Sequence, residues 1–182
     1  MLKVSENPPI VPPSGGSVLN LVGRWWVGHT KSRSEKAAAW DLLKRDIGYF
    51  LPLIERVRVS GGKRRRVLWP LFPSYIFMCG DEAARHAALT TNRFSNVLAV
   101  SDQDCLRTEL GYIERALKGQ AALDPYPFTA QGQRCRVSCG PFQGLEGVVV
   151  QRRQLSRLVL QVGILGQAAS MEIDASLLEP VH

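Results

Sequence analysis

The chain has 182 residues, 45% hydrophobic and 21% charged, with a formal net charge of +7 and a pI near 9.6. That size suits one medium domain or two small ones whose core needs no covalent staples, and four scattered cysteines without a CxxC exclude a secreted disulfide framework. The cationic balance favours a polyanionic partner, nucleic acid or an acidic protein surface.

Residues 1–23 hold one lysine and four prolines and no continuous apolar core. They read as a disordered tail, neither a signal peptide nor a membrane span. RWWVGHT, 24–30, reads as a strand. Ser32 or Ser34 then caps a helix predicted to reach about Asp46, with Ala37, Trp40, Leu43 and Ile47 on its inner face and Gly48 ending it. YFLPLIERVRV is a strand, and Gly61-Gly62 supplies the positive φ of a two-residue hairpin turn. The return strand RRVLWPLFPSYIFM is interrupted by Pro70 and Pro73, where a bend is expected.

Asp81 to Thr90 reads as a short helix and NVLAV as a short strand. Ser101 or Asp102 caps a longer helix with a Leu106, Leu110, Ile113, Leu117 stripe, closed by Gly119. The order β-α-β-β-α-β-α predicts an α+β sandwich over 24–119. Residues 120–131, with two prolines in AALDPYPFTAQ, read as a linker without helix or strand. From 132 to 182 only short strands follow, which predicts a small five-stranded β-barrel.

Cys135 and Cys139 alternate with charged or polar residues on one predicted strand, so they are expected as buried thiols. Residues four apart on a strand stand roughly 13 Å apart, too far for two ligands of one zinc, so neither metal nor other cofactor is expected. The three histidines, His29, His86 and His182, are scattered, and no phosphate loop or GxSxG occurs. The chain reads as a non-enzyme, monomeric and cytoplasmic, with no membrane partner.

The stretch GQRCRVSCGPFQGLEGVVV resembles the KOW motif through Gly132, Val137, Gly140, Pro141, Phe142, Gly144 and Gly147. Its turn is expected to leave Phe142 at the tip, available to a partner. RWWVGHTKSRSEKAAAWDLL and LFPSYIFM, with the basic Gly-Gly hairpin between them, resemble the two signature segments of NusG-type transcription factors. The glycine usual before the glutamate of the first segment is absent, so the chain looks more like the specialised RfaH-like antiterminators of that family.

The resemblance implies a transcription elongation and antitermination factor that suppresses pausing, on specific operons. Its N-terminal domain would bind the clamp helices of the largest RNA polymerase subunit through His29, Phe72, Tyr75, Val97 and Leu98, and would also reach the lobe or gate loop of the second-largest subunit. Phe72, between two prolines, is expected to be exposed. The non-template DNA strand would meet Lys31, Arg33, Lys44, Arg45, Asn92 and Arg93, and the hairpin cations Lys63, Arg64, Arg65 and Arg66, with Arg56 and Arg58, would touch upstream DNA. Phe142, Ile164 and Leu165 would bind the ribosomal protein NusE or Rho. A housekeeping NusG acting with Rho, and a KOW-type RNA-binding or ribosome-associated protein, are the alternatives. The β-rich composition of 140–178 predicts strands and no switch to helix.

Overall fold

A computed structural model describes residues 6–12, 14–126, 128, 132–152 and 155–181. The chain divides into two compact units, residues 1–103 and 104–182. The first contains β1 (Arg24–Thr30), α1 (Glu35–Leu43), β2 (Gly48–Phe50), β3 (Leu53–Ser60), β4 (Lys63–Pro70), β5 (Tyr75–Gly80), α2 (Glu82–Thr90) and β6 (Phe94–Ala99). Four strands form an antiparallel sheet in the order β2-β5-β1-β6, and β3 and β4 form a separate hairpin.

β1 lies between β5 and β6, so its alternation sorts the side chains of all three strands. Trp26 stands opposite Met78, and Gly28 opposite Ile76 and Val97. This face forms a core with Ala38, Ala39 and Leu42 of α1 and Ala88 of α2. A Cβ on Gly28 would lie 2.6 Å from the Phe94 ring, so the glycine makes room for that aromatic side chain. Asp81, read from the sequence as the first residue of this helix, instead caps α2, its carboxylate accepting the Ala84 N–H at 2.8 Å. Gly61 and Gly62 turn the hairpin at φ 58° and 75°, the two positive angles that a type I′ turn requires.

Several sequence-based expectations are corrected. α1 stops at Leu43, Asp46 takes the left-handed conformation at φ 55°, and Gly48 opens β2 instead of ending the helix. The buried positions of α1 are Glu35, Ala38, Ala39 and Leu42, one step round from the predicted stripe. The Glu35 carboxylate accepts the Ser74 backbone N–H at 2.7 Å, which ties that flank of the helix to the turn after β4. The return strand is two strands, β4 and β5, separated by residues 71–74 with Ser74 at φ 68°.

The described residues of the expected disordered tail pack against the first unit. Val18 is fully buried, the Leu51 N–H donates to the Ile10 carbonyl at 2.8 Å, and the Tyr49 hydroxyl donates to the Pro9 carbonyl at 3.0 Å. Prolines lack an N–H but keep a carbonyl, and this strap uses carbonyls as acceptors. Burial pushes the Tyr49 hydroxyl above its usual pKa.

The second unit contains all but the first residue of α3 (Gln103–Lys118), then β7 (Asp124–Tyr126), β8 (Gln133–Val137), β9 (Glu146–Arg152), β10 (Leu155–Val162), β11 (Gln167–Ile173) and β12 (Leu178–Pro180). These strands make one antiparallel sheet, ordered β12-β8-β9-β10-β11-β7, with strands and short turns over the described residues of 140–178, as the composition predicted. The sheet has six strands, not the expected five. The added strand is β7, inside the predicted linker, where Asp124, Pro125 and Tyr126 pair with Ser170, Ala169 and Ala168. Pro125 is tolerated because β7 is an edge. Residues 127 and 129–131 of that linker lie outside the described residues.

The interior of the second unit holds Cys135, Val137, Leu145, Leu158, Leu160, Val162 and Met171. Cys139, expected to be buried beside Cys135, is exposed. The strand alternation ends at Val137, where the chain turns: the Val137 N–H donates to the Leu145 carbonyl at 2.9 Å and the Gly144 N–H to the Val137 carbonyl at 2.7 Å.

Two substitutions test the packing of the first unit. Leu42→Ala empties a fully buried position and is expected to cost about 2–5 kcal/mol. Tyr49→Phe leaves the Pro9 carbonyl without its donor and is expected to cost about 1 kcal/mol. Urea denaturation measures both.

Candidate functional site

The face of the first sheet opposite α1 and α2 carries Val27, His29, Phe77 and Tyr75, in the pairs Val27–Phe77 and His29–Tyr75. On the other side of β1, Val27 pairs with Leu98 and His29 with Asn96. Val27 and Phe77 are buried, His29 and Tyr75 are half-buried, and Leu98 is 38% exposed. The His29 and Tyr75 rings lie 5.1 Å apart. The Ser95 hydroxyl donates to the His29 carbonyl at 2.9 Å and lies 2.7 Å from Nδ1.

Of the five residues expected at a polymerase surface, three therefore share an accessible face: His29, Tyr75 and Leu98. Val97 points the other way and is 5% exposed within the helix-facing core, because adjacent strand residues face opposite sides. Phe72, expected to be exposed, is 1% exposed and packs edge-on against Phe77 with centroids 6.2 Å apart. Its proline-flanked turn folds inward, so it supports this face from within. Ser95 and Asn96 escaped the sequence reading, and strand register was the only signal that could have found them.

The cations form two surfaces. Beside α1, the Lys31 ammonium donates to Asn92 Oδ1 at 2.5 Å, and the Lys31 N–H donates to the Arg93 carbonyl at 2.8 Å. Arg93 Nε pairs with Asp41 at 2.8 Å, and Arg45 donates to the Asp41 carbonyl at 3.2 Å. Lys31, Asn92, Arg93 and Arg45 are thus brought together around Asp41, while Lys44 and Arg33 are exposed nearby in sequence. On the hairpin, Lys63, Arg64, Arg65 and Arg66 are all exposed but alternate between its two faces. Arg66 pairs with Glu55 across the strands at 3.3 Å.

In the second unit the KOW-like positions build a turn. Gly140 and Gly144 have φ 84° and 80°, and a Cβ on Gly147 would collide with the Val159 carbonyl. Gly132 lies just before β8, Val137 is buried, and Pro141 is exposed. Phe142 is half-buried rather than free at the tip, because its ring lies against Gly119 at the end of α3, where a Cβ would collide with it. The turn of Gly163–Leu165 between β10 and β11 is at the same end of the sheet. Ile164 there is 38% exposed and Leu165 half-buried. α3 holds both loops: Arg115 donates to the Gln143 carbonyl, and Glu109 accepts the Gly163 N–H at 3.0 Å. Tyr112 of the same helix has its pKa raised by burial and then by the Glu146 carboxylate.

None of the described helices is long and apolar enough to cross a membrane. A family model described as "Transcription termination factor nusG" matches residues 23–107. "Transcription termination/antitermination protein NusG" of Yersinia pestis is 28% identical over 142 residues, covering 71% of this chain and 75% of that one. The protein of the same description from Escherichia coli strain K12 matches with the same identity and coverage. A solved structure of Thermotoga maritima NusG covers 87% of this chain and 97% of its own at 16% identity, with a TM-score of 0.45.

The alternation in β6 is open to direct measurement. Val97→Ser places a hydroxyl in the core and is expected to destabilise the first unit by about 2–4 kcal/mol. Leu98→Ser on the accessible face is expected to change stability by no more than about 0.5 kcal/mol. Chemical denaturation of the two variants checks this.

Proposed function

This chain belongs to the NusG family, and on that premise we propose that it is a non-enzymatic transcription elongation and antitermination factor. Its first unit binds RNA polymerase, laying the His29–Tyr75–Leu98 face against the clamp helices of the largest subunit. A second contact, to the lobe or gate loop of the second-largest subunit, holds the clamp in its closed form. Preferential binding to the closed form is all that suppression of pausing requires.

The observation that carries this reading is the shared face. Two aromatic rings and a leucine are held on a rigid sheet, backed by buried Val27, Phe77 and Phe72. Such a platform suits a helix docked by a few apolar anchors. Lys31, Arg33, Asn92 and Arg93 then reach the exposed non-template DNA strand, where phosphate contacts give affinity and base contacts select particular operons. The hairpin cations touch upstream DNA. Ile164 and Leu165, beside Phe142, offer the second unit's surface for NusE or Rho.

Purified RNA polymerase provides the test. Tyr75→Ala and Leu98→Ser are each expected to weaken binding by about tenfold or more and to remove the shortening of pauses, with the variants still folded. Binding equal to wild type would overturn the assigned face. Templates with and without a candidate pause element separate the two modes: dependence on the element marks an operon-specific factor, and indifference a general one.

A further inference from the structure

Between the β3–β4 hairpin and the start of α1 lies an open groove of about 450 Å³. Val67, 8% exposed, contributes its apolar wall together with Pro70. Trp69, 40% exposed, also lines it. Arg33 and Lys36 line it from the α1 side and Arg58 from the hairpin. The Lys36 ammonium donates to the Leu68 carbonyl at 2.6 Å, and burial lowers its pKa. Glu35, the acidic residue of the lining, is buried and accepts the Ser74 N–H.

The hairpin register adds a second observation. Trp69 faces Ile54, Val67 faces Arg56, Arg65 faces Arg58, and Lys63 faces Ser60. Residues directly opposite share a face, so Arg56, Arg58, Lys63 and Arg65 all stand on the Trp69 side. Val57, Val59, Arg64 and the Glu55–Arg66 ion pair stand on the other. Arg58 and Arg65 are like charges directly across the strands, an arrangement that destabilises an isolated hairpin and that an anion would relieve.

We propose that this groove holds one unpaired nucleotide of single-stranded DNA, its base stacked on Trp69 and its flanking phosphates on Arg33, Arg56 and Arg58. A row of cations leading to an aromatic wall is the arrangement that binds single strands through phosphate and base face together. A duplex keeps its bases stacked on one another and offers nothing to Trp69. DNA is the favoured strand because Arg33 joins this groove to the Lys31 surface already assigned to exposed DNA, a reading on which this inference rests.

The test is fluorescence anisotropy of labelled dT15 with the full chain at low salt, without polymerase. Trp69→Ala is expected to weaken binding by about tenfold, and Trp69→Phe to keep most of the wild-type affinity. Arg58→Ser is expected to weaken binding and to lower the slope of log K against log salt by about 0.7, whereas Arg64→Ser on the opposite face changes affinity less. rU15 and a duplex of equal length are expected to bind more weakly than dT15. The groove assignment is overturned if Trp69→Ala binds dT15 as wild type does, if rU15 or duplex binds at least as well, or if dT15 does not bind. Thermal melting confirms that each variant is folded. Polymerase affinity, measured separately with Tyr75→Ala and Leu98→Ser, can fail or stand independently of this result.

Discussion

The position of β1 between β5 and β6 is the constraint on which the candidate surface depends. A strand's side chains alternate with period two, so one residue of slip would exchange the two faces. Gly28 sets the alignment, because the Phe94 ring fills the space a side chain would need. With Gly28 fixed against Val97, Leu98 must stand beside Val27, and His29 beside Tyr75 and Asn96. Trp26, Ile76 and Met78 then turn inward to the helices. One register thus builds the core and, on the reverse side, the aromatic and apolar face assigned to polymerase.

The hairpin follows a different logic. Most of its residues are exposed, and its ladder is closed by Gly61-Gly62 and held to α1 by the Lys36–Leu68 hydrogen bond. Its charges are not spread evenly. One face offsets Arg66 with Glu55 and leaves Arg64 as its remaining cation, and the other carries Arg56, Arg58, Lys63 and Arg65 on the Trp69 side. Salt screens the Arg58–Arg65 pair only in part at physiological ionic strength, because residues directly opposite across a hairpin have Cβ atoms roughly 5 Å apart, inside a Debye length of about 8 Å. The residual repulsion lowers stability, and a bound polyanion removes it.

At the far end of the chain, the KOW-like turn illustrates how a motif and its surroundings differ in kind. Gly140, Gly144 and Gly147 are required by backbone angle or close approach and would be required in any such turn. The exposure of Phe142 is not a property of the turn. It is reduced by α3, whose Gly119, Arg115 and Glu109 engage the two neighbouring loops.

By itself the sequence determined the mixed α+β character, the order of the three helices among the strands, the Gly-Gly hairpin, the strand-rich C-terminal region and the family resemblance, but β2 with β3 and β4 with β5 read in it as single strands. These rest on local chemistry: positive φ at Gly61 and Gly62, and alternating or helical apolar periods. What only the tertiary structure decided were facings and non-local pairings. Whether Leu98 or Val97 meets a partner depends on register with β1, and the burial of Phe72 depends on Phe77. The rotation of α1 is tied to the contact between Glu35 and Ser74. Pro9, Ile10 and β7 are held by donors and edges hundreds of atoms away along the chain: the Pro9 and Ile10 carbonyls by Tyr49 and Leu51, Asp124–Tyr126 by β11. A proline-rich segment carries no local signal for such pairing, because its order comes from the surface that receives it.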